Sequence, residues 1–320
     1  MNNIFDLYSS CSLCPKKCNV NRNNEIKGFC RESNRMRIAC ACLHQGEEPP
    51  LIGKKGSGTV FFTGCTLKCS FCQNFQISRQ GMGDKVSEDT LSQIFLSLQN
   101  RDASNINLVT GTHFIPGIIK SLDQAKAYGL TIPVLWNSSG YEEINSLRIL
   151  NDSIDIYLPD LKTLDTSMAG TLFKAKDYPA KAKQTILYMI NNKSLHYEND
   201  KLKKGVIIRH LVLPGYLDST RAVLRWYSQE VQGRALISIM FQYIPEPSKQ
   251  HDLKQYNAPL KCISQKEYNT VLMMLEKYNL EDGFIQEPAG KDTWIPDFRK
   301  SNPFPPDFAD PVWHFLSNKN

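Results

Sequence analysis

The chain has 320 residues, 41% hydrophobic and 22% charged, with 17 Pro and 18 Gly. These ordinary globular values exclude wholesale disorder and a collagen-like architecture. The mild net charge of +6, with no basic stripe interleaved with aromatics, is no nucleic-acid footprint.

Length allows about two domains at ~150 residues each, or a single α/β barrel. No apolar run approaches the ~18 residues of a membrane span. The start, Met1-Asn-Asn-Ile-Phe-Asp6, has no basic segment leading into an apolar one, which argues against a secretory leader. Nine of the ten Cys fall within residues 11 to 72. Such a skew suits metal or redox chemistry in a reducing cytoplasm better than a disulfide framework.

Residues 1–58 are polar, Cys-rich and poorly periodic, with turn-rich joints at Glu47-Glu48-Pro49-Pro50 and Gly53–Gly58. A metal-stapled module is expected there. From Thr59 onward, apolar runs alternate with helical patterns. Strands are predicted at 59–63, 106–110, 132–136, 154–158, 206–213 and 235–241. Helices are predicted at 87–100, with Glu88 and Asp89 in the first turn, and at 115–128, stopped by Gly129. Others are expected at 141–151, around Ile186 to Ile190, around Val223 to Trp226, and after the capping-box spacing Ser264 to Glu267. The run Lys201, Lys203, Lys204 reads as a solvated loop leading into a strand. Six strand–helix repeats with nearly continuous apolar strands argue for a parallel sheet covered on both faces. The Pro-rich last ~40 residues read as a surface tail pinned by Phe298, Phe304, Phe308 and Trp313. The expected organisation is a Cys-rich module at 1–58, a partial barrel at 59–280 and an irregular C-terminal extension at 281–320.

The sharpest chemical signal is Cys65-x3-Cys69-x2-Cys72, directly after the first of these strands. Three thiolates on one short loop suit an iron–sulfur cluster with one iron left open. A zinc site borrowing His44 or His113, or three buried thiols, fits the spacing as well. Cys11-x2-Cys14-x3-Cys18-x11-Cys30 suits a second metal, either tetrahedral zinc or a second cluster. Cys40 and Cys42, two apart, share a strand face and read as packing. Barrel logic puts chemistry at the C-terminal strand ends. That rim carries Thr110, Thr112, His113, Asn137, Ser139, Asp160, Lys162, Arg209, Gln242 and Tyr243.

Gly64-Cys65-Thr-Leu-Lys-Cys69-Ser-Phe71-Cys72-Gln-Asn74 resembles the radical S-adenosylmethionine (radical SAM) superfamily, whose C-x3-C-x-aromatic-C motif follows the first strand of a partial (β/α)6 barrel. Cys14-Pro-x-x-Cys18, His44-Gln-Gly-Glu47-Glu48-Pro-Pro50, Trp136-Asn137-Ser-Ser-Gly140-Tyr141-Glu142 and Leu158-Pro-Asp160-Leu-Lys162 resemble the branch related to pyruvate formate-lyase activating enzyme. This likeness runs through nearly the whole chain. It implies a [4Fe–4S] cluster on Cys65, Cys69 and Cys72, chelated at its open iron by the methionine end of SAM. One-electron reduction of the sulfonium then yields a 5′-deoxyadenosyl radical that abstracts hydrogen from a protein, peptide or small molecule. It further implies that Phe71 meets adenine through its backbone, and that Asn137 and Ser139 lie near the ribose and carboxylate. Asp160 and Lys162 are implied around SAM and substrate. Relatives often carry Gly-Gly-Glu where this chain has Thr110-Gly111-Thr112, so Thr110 and Thr112 are expected to supply oxygen acceptors instead. Arg209 is a candidate partner for the SAM carboxylate, and Glu47 and Glu48 are expected to face the barrel mouth. The expected partners are SAM and an electron donor such as flavodoxin or ferredoxin. Modification of RNA or of a peptide side chain, and a non-catalytic metal or redox protein, are the competing functions.

Overall fold

The structure, a computed structural model, describes residues 3–246, 250–288 and 295–317. After two short 3-10 turns the chain enters β1 (Arg37–His44) and β2 (Ser57–Phe62), then α1 (Phe75–Ser78), β3 (Asp84–Lys85) and α2 (Glu88–Asn100). Next come β4 (Ile106–Val109), α3 (Ile115–Ala127), β5 (Val134–Ser138), α4 (Ile144–Leu150) and β6 (Ile156–Pro159). Two helices, α5 (Thr166–Phe173) and α6 (Tyr178–Asn192), lead to the hairpin of β7 (His196–Glu198) with β8 (Lys201–Leu211). The chain continues through α7 (Leu217–Glu230), β9 (Leu236–Met240), α8 (Gln250–Gln255), α9 (Gln265–Lys277), β10 (Gly283–Gln286) and β11 (Ala309–His314).

The sheet runs in the order β10-β9-β8-β6-β5-β4-β2-β1-β11. From β2 to β10 every neighbour is parallel. Strand order therefore follows chain order, as in a singly wound (β/α) barrel. The two ends are not joined, so the barrel is partial. Among the described residues the parallel set has seven strands, because β10 adds one to the six predicted. Local signals hold where they are strong. Ser87 caps α2 by accepting from the Thr90 amide, and Ser264 and Glu267 form the expected capping box on α9.

Three departures have a common cause: the sheet recruits segments that look irregular in isolation. β1 is a buried strand of the same sheet, antiparallel to β2, although it lies within residues 1–58. Cys40 and Cys42 on it pack with Phe61 and Phe298. Part of the tail forms β11 and pairs with β1. Lys201 to Lys204 are strand, with the Lys201 ammonium donating to the Pro49 and Ile52 carbonyls.

Alternation along the parallel strands builds a graded interior. Leu135, Leu158, Ile207 and Leu236 belong to one apolar cluster, distinct from the outer cluster that packs the helices. Two residues further along each strand, on the same face, stand Asn137, Asp160, Arg209 and Ser238. Inside the barrel, an apolar floor thus gives way to a polar rim at the C-terminal ends.

Candidate active site

The Cys loop leaves β2 through Gly64, whose φ of +81° suits glycine. A Cβ there would stand 2.8 Å from the Cys30 carbonyl oxygen. Amides of Lys68 and Ser70 donate to the Phe173 and Leu172 carbonyls at the end of α5. Arg79 donates to the Lys68 and Cys69 carbonyls. So anchored, Cys65, Cys69 and Cys72 all line one cavity of about 270 Å³. Burial pushes the Cys69 thiol up to about 11, against the pull of the Lys162 ammonium, and pushes Cys65 up as well. Left alone these groups are neutral thiols; a bound metal deprotonates its thiol ligands outright. Among the described residues, no three His, Cys, Asp or Glu side chains converge on a single ion. Three thiols facing one cavity are the kind of donor set that an iron–sulfur cluster uses.

The rim of that cavity holds Thr110, Asn137, Ser139, Asp160, Lys162 and Arg209. Lys162 Nζ donates to Asp160 at 2.5 Å. Burial opposes its charge, but Asp160 and Cys69 outweigh that and raise its pKa. Tyr178 joins the β5 and β6 loops. Its hydroxyl accepts from the Lys162 amide at 3.0 Å and is shared between the Ser139 and Asp160 carbonyls at 2.9 and 2.8 Å. Gly140 has φ +67°, and a Cβ there would lie 2.7 Å from the Asp160 carbonyl. Thr110 also holds a positive φ, +61°. That conformation is an outlier for a β-branched residue, and strain of this kind gathers at ligand sites.

Other predicted residues lie elsewhere. Thr112 is buried away from the cavity, donating to Glu142 at 2.9 Å. Phe71 packs edge-on against Phe173 and Tyr243 and lines a neighbouring cavity of about 230 Å³. Both cavities share Cys69, Cys72, Asp160 and Lys162. His113 is buried with its ring bonded to the Thr63 carbonyl. Tyr243 turns its hydroxyl to the Pro259 carbonyl.

Arg209 meets the protein's own acids. Its Nε donates to Glu48 at 2.9 Å, and Nη2 reaches both Glu47 and Glu48. The guanidinium so placed compensates two buried carboxylates, as burial requires. Asn107 donates to Glu47 at 2.9 Å. Burial alone would raise the Glu47 carboxyl, but Arg209 holds it down to about 2. Glu48 is sealed beneath the cavity while Glu47 lines it.

Residues 59–226 match the model of the Radical SAM superfamily. The chain belongs to the radical SAM superfamily. A 31% identical relative, an uncharacterized protein of Methanocaldococcus jannaschii, aligns with 86% of this chain over 77% of its own length. Among solved structures, Streptococcus suis SuiB bound to S-adenosylmethionine superposes with a TM-score of 0.50 at 12% identity. The overlap covers 70% of this chain and 48% of SuiB, so the chain spans about half the length of that protein. A radical SAM methyltransferase from Sphaerobacter thermophilus gives 0.49 at 14% identity, covering 73% of this chain and 67% of that one.

Radical SAM membership implies a [4Fe–4S] cluster and SAM, and the cavity with its three thiols suits both. No described helix is long and apolar enough to cross a membrane. Four residues that sequence reasoning left unassigned also line the site: Gln73, Ser78, Gln286 and Phe304. Gln73 follows Cys72 directly, so the motif itself was a signal. Gln286 and Phe304 had none, since both arrive from segments that read as surface tail.

The second Cys group is also assembled. Cys11, Cys14, Cys18 and Cys30 are free thiols. The Cys14 thiol feels the other three electrostatically. Cys11 is tied to Val20 and Asn19 by backbone bonds. The Cys30 end adjoins the Cys65 loop, and both residues line a small cavity of about 140 Å³.

Proposed function

We propose that this radical SAM protein cleaves SAM reductively to abstract hydrogen from a protein, peptide or small-molecule substrate, in the manner of an activating enzyme. One observation carries the reading. A single cavity joins three cluster thiols to a rim of opposed charge and amide groups at the ends of four parallel strands. When bound, the cluster and SAM supply the radical chemistry, and the protein supplies position and electrostatics.

Cys65, Cys69 and Cys72 hold the cluster. Asn137, Ser139 and Thr110 face the ribose and the methionine end, with Asp160 and Lys162 at the wall between the two cavities, where cofactor and substrate meet. Phe71 packs behind the loop and orders its backbone. Thr112 acts through Glu142 rather than by contact. Arg209 keeps Glu47 ionised, and Glu47 then offers a fixed negative charge at the cavity end formed with His44 and Phe304. A flavodoxin- or ferredoxin-type donor supplies the electron. Cys11, Cys14, Cys18 and Cys30 hold a second metal.

The test is anaerobic. The protein reconstituted with iron and sulfide, reduced and given SAM should form 5′-deoxyadenosine, and Cys69→Ala should abolish cluster and product together. No product, with spectra unchanged by SAM, would leave a metal-binding protein without this chemistry.

A further inference from the structure

We infer that the face formed by Phe29, Arg31, Lys68 and Lys174 is the docking surface of an acidic electron-transfer protein; this rests on the reading that Cys65, Cys69 and Cys72 hold a reducible cluster, and it names where the donor binds.

The first observation is charge. Arg31 and Lys174 are exposed, and Lys16 and Lys68 are half-buried beside them. The Lys16 and Lys68 ammoniums lie 4.6 and 4.1 Å from the centre of one ring, that of Phe29, and the Lys174 ammonium lies 3.7 Å over Tyr256. Among the described residues, none of Lys16, Arg31, Lys68 and Lys174 has an ion pair with a carboxylate. The acids beside them in the chain are engaged elsewhere. Glu32 is buried against Arg37, and Asp177 accepts from the Tyr141 hydroxyl. Unopposed charge of one sign on one face attracts and orients a partner of the other sign.

The second observation is what lies beneath the charge. The cavity of about 140 Å³ among these cations is lined by Cys30 and Cys65. Thr110, Asn137, Ser139, Asp160 and Lys162 line the larger cavity and not this one. A protein seated here reaches the thiol edge without reaching the polar rim. A substrate must bring a C–H bond to that rim, whereas an electron donor need only come close to the sulfur ligands. One electron passes, the donor is oxidised, the cluster is reduced, and no atom moves. A nucleic acid would gain nothing from thiols under its contact.

The third is anchorage. Arg31 follows Cys30 and donates to the Arg79 carbonyl at 2.8 Å, while Arg79 donates to the Lys68 and Cys69 carbonyls. The cations are thus fastened to the Cys loop itself. Phe29 and Tyr256 supply a small apolar centre within the charge, on the scale of a weak electron-transfer contact.

The test compares the reconstituted wild-type chain with Arg31→Glu/Lys174→Glu. Reduced acidic flavodoxin and reduced acidic ferredoxin are each mixed anaerobically with it, and bleaching of the cluster absorbance is followed by stopped flow. Fluorescence anisotropy of labelled, oxidised flavodoxin reads binding apart from any turnover. The variant should lose at least ~10-fold in both reduction rate and affinity. Raising ionic strength from about 0.05 to about 0.5 M should weaken the wild type similarly. Iron content and reduction by dithionite should stay unchanged. Equal rates and affinities in the two proteins overturn the docking face, as does a cluster that dithionite reduces and neither donor does. Slower reduction by dithionite as well assigns the charges to the cluster and overturns it too. Labelled single-stranded RNA that binds the wild type and not the variant, with donor rates equal, gives the face to nucleic acid instead. If the double variant does not fold, Lys174→Glu alone decides by the same readouts. Failure to form 5′-deoxyadenosine with dithionite as reductant overturns the proposed function and leaves the binding measurement to decide the docking face.

Discussion

Lys162 shows how much one side chain does in this site. Its ammonium lies 2.5 Å from Asp160 and acts on Cys69, so it favours the charged forms of both a carboxyl and a thiol. Lys162→Met should cut 5′-deoxyadenosine formation by at least ~10-fold, since a buried charged partner is worth a few kcal/mol. Circular dichroism should stay unchanged, and product counting checks the rate. Gly140 works through the backbone. Its positive φ and its contact with the Asp160 carbonyl mean that Gly140→Ala strains the loop by about 1–3 kcal/mol. Urea denaturation should show that loss, and SAM titration should show weaker binding. His210 sets an acid limit. Its ring is buried between the Leu161 carbonyl at 2.7 Å and Thr220 Oγ1 at 3.0 Å, and burial holds its pKa down to about 4. The unfolded chain takes up that proton near 6.5. Stability from the neutral ring is therefore complete above pH 6.5 and declines as pH falls toward 4. His113, held down to about 3 by burial and by Arg22, acts in the same direction. Denaturation midpoints should drop across that window, and His210→Asn should lower the proton uptake on unfolding by about one.

The elements differ in how plainly their sequences announce them. α2 and α9 carry caps and helical spacing within one segment, so local chemistry suffices. β11 does not. Ala309–His314 contains Pro311 and follows a Pro-rich stretch, and it becomes a strand only because β1 offers an unpaired edge. What holds the tail is an aromatic cluster. Phe61, Phe298 and Phe304 stand with ring centroids 5.3 to 6.2 Å apart, and Phe298 is fully buried. Phe298→Ala should cost about 3–5 kcal/mol, measured by denaturant unfolding. It should also loosen Phe304 at the cavity, raising the apparent Kd for SAM.

Across the whole molecule, the Glu47, Glu48 and Arg209 network ties the segment before β2 to the far side of the sheet. The same bonds explain why Arg209, although on the expected rim, is engaged by protein acids. Arg209→Met should destabilise by about 3–5 kcal/mol, because it strands two buried carboxylates. Adding Glu47→Gln and Glu48→Gln should recover most of that loss in thermal unfolding. A variant set in which the single change is harmless would contradict the network.

By itself the amino-acid sequence determined the radical SAM membership, the Cys65 loop, the rim pair Asp160 and Lys162, and the alternation of strand and helix. Each of these is written within one short segment, where spacing and local hydrogen bonding decide. Only the tertiary structure decided that β1 and β11 belong to the sheet, that Phe304 and Gln286 reach the cavity, that Thr112 turns away, and that Arg209 meets Glu47 and Glu48. Those outcomes join residues from separate elements, 30 positions apart for Thr112 and Glu142 and more than 160 for Arg209 and Glu47, for edge pairing and charge compensation depend on which groups the fold brings together.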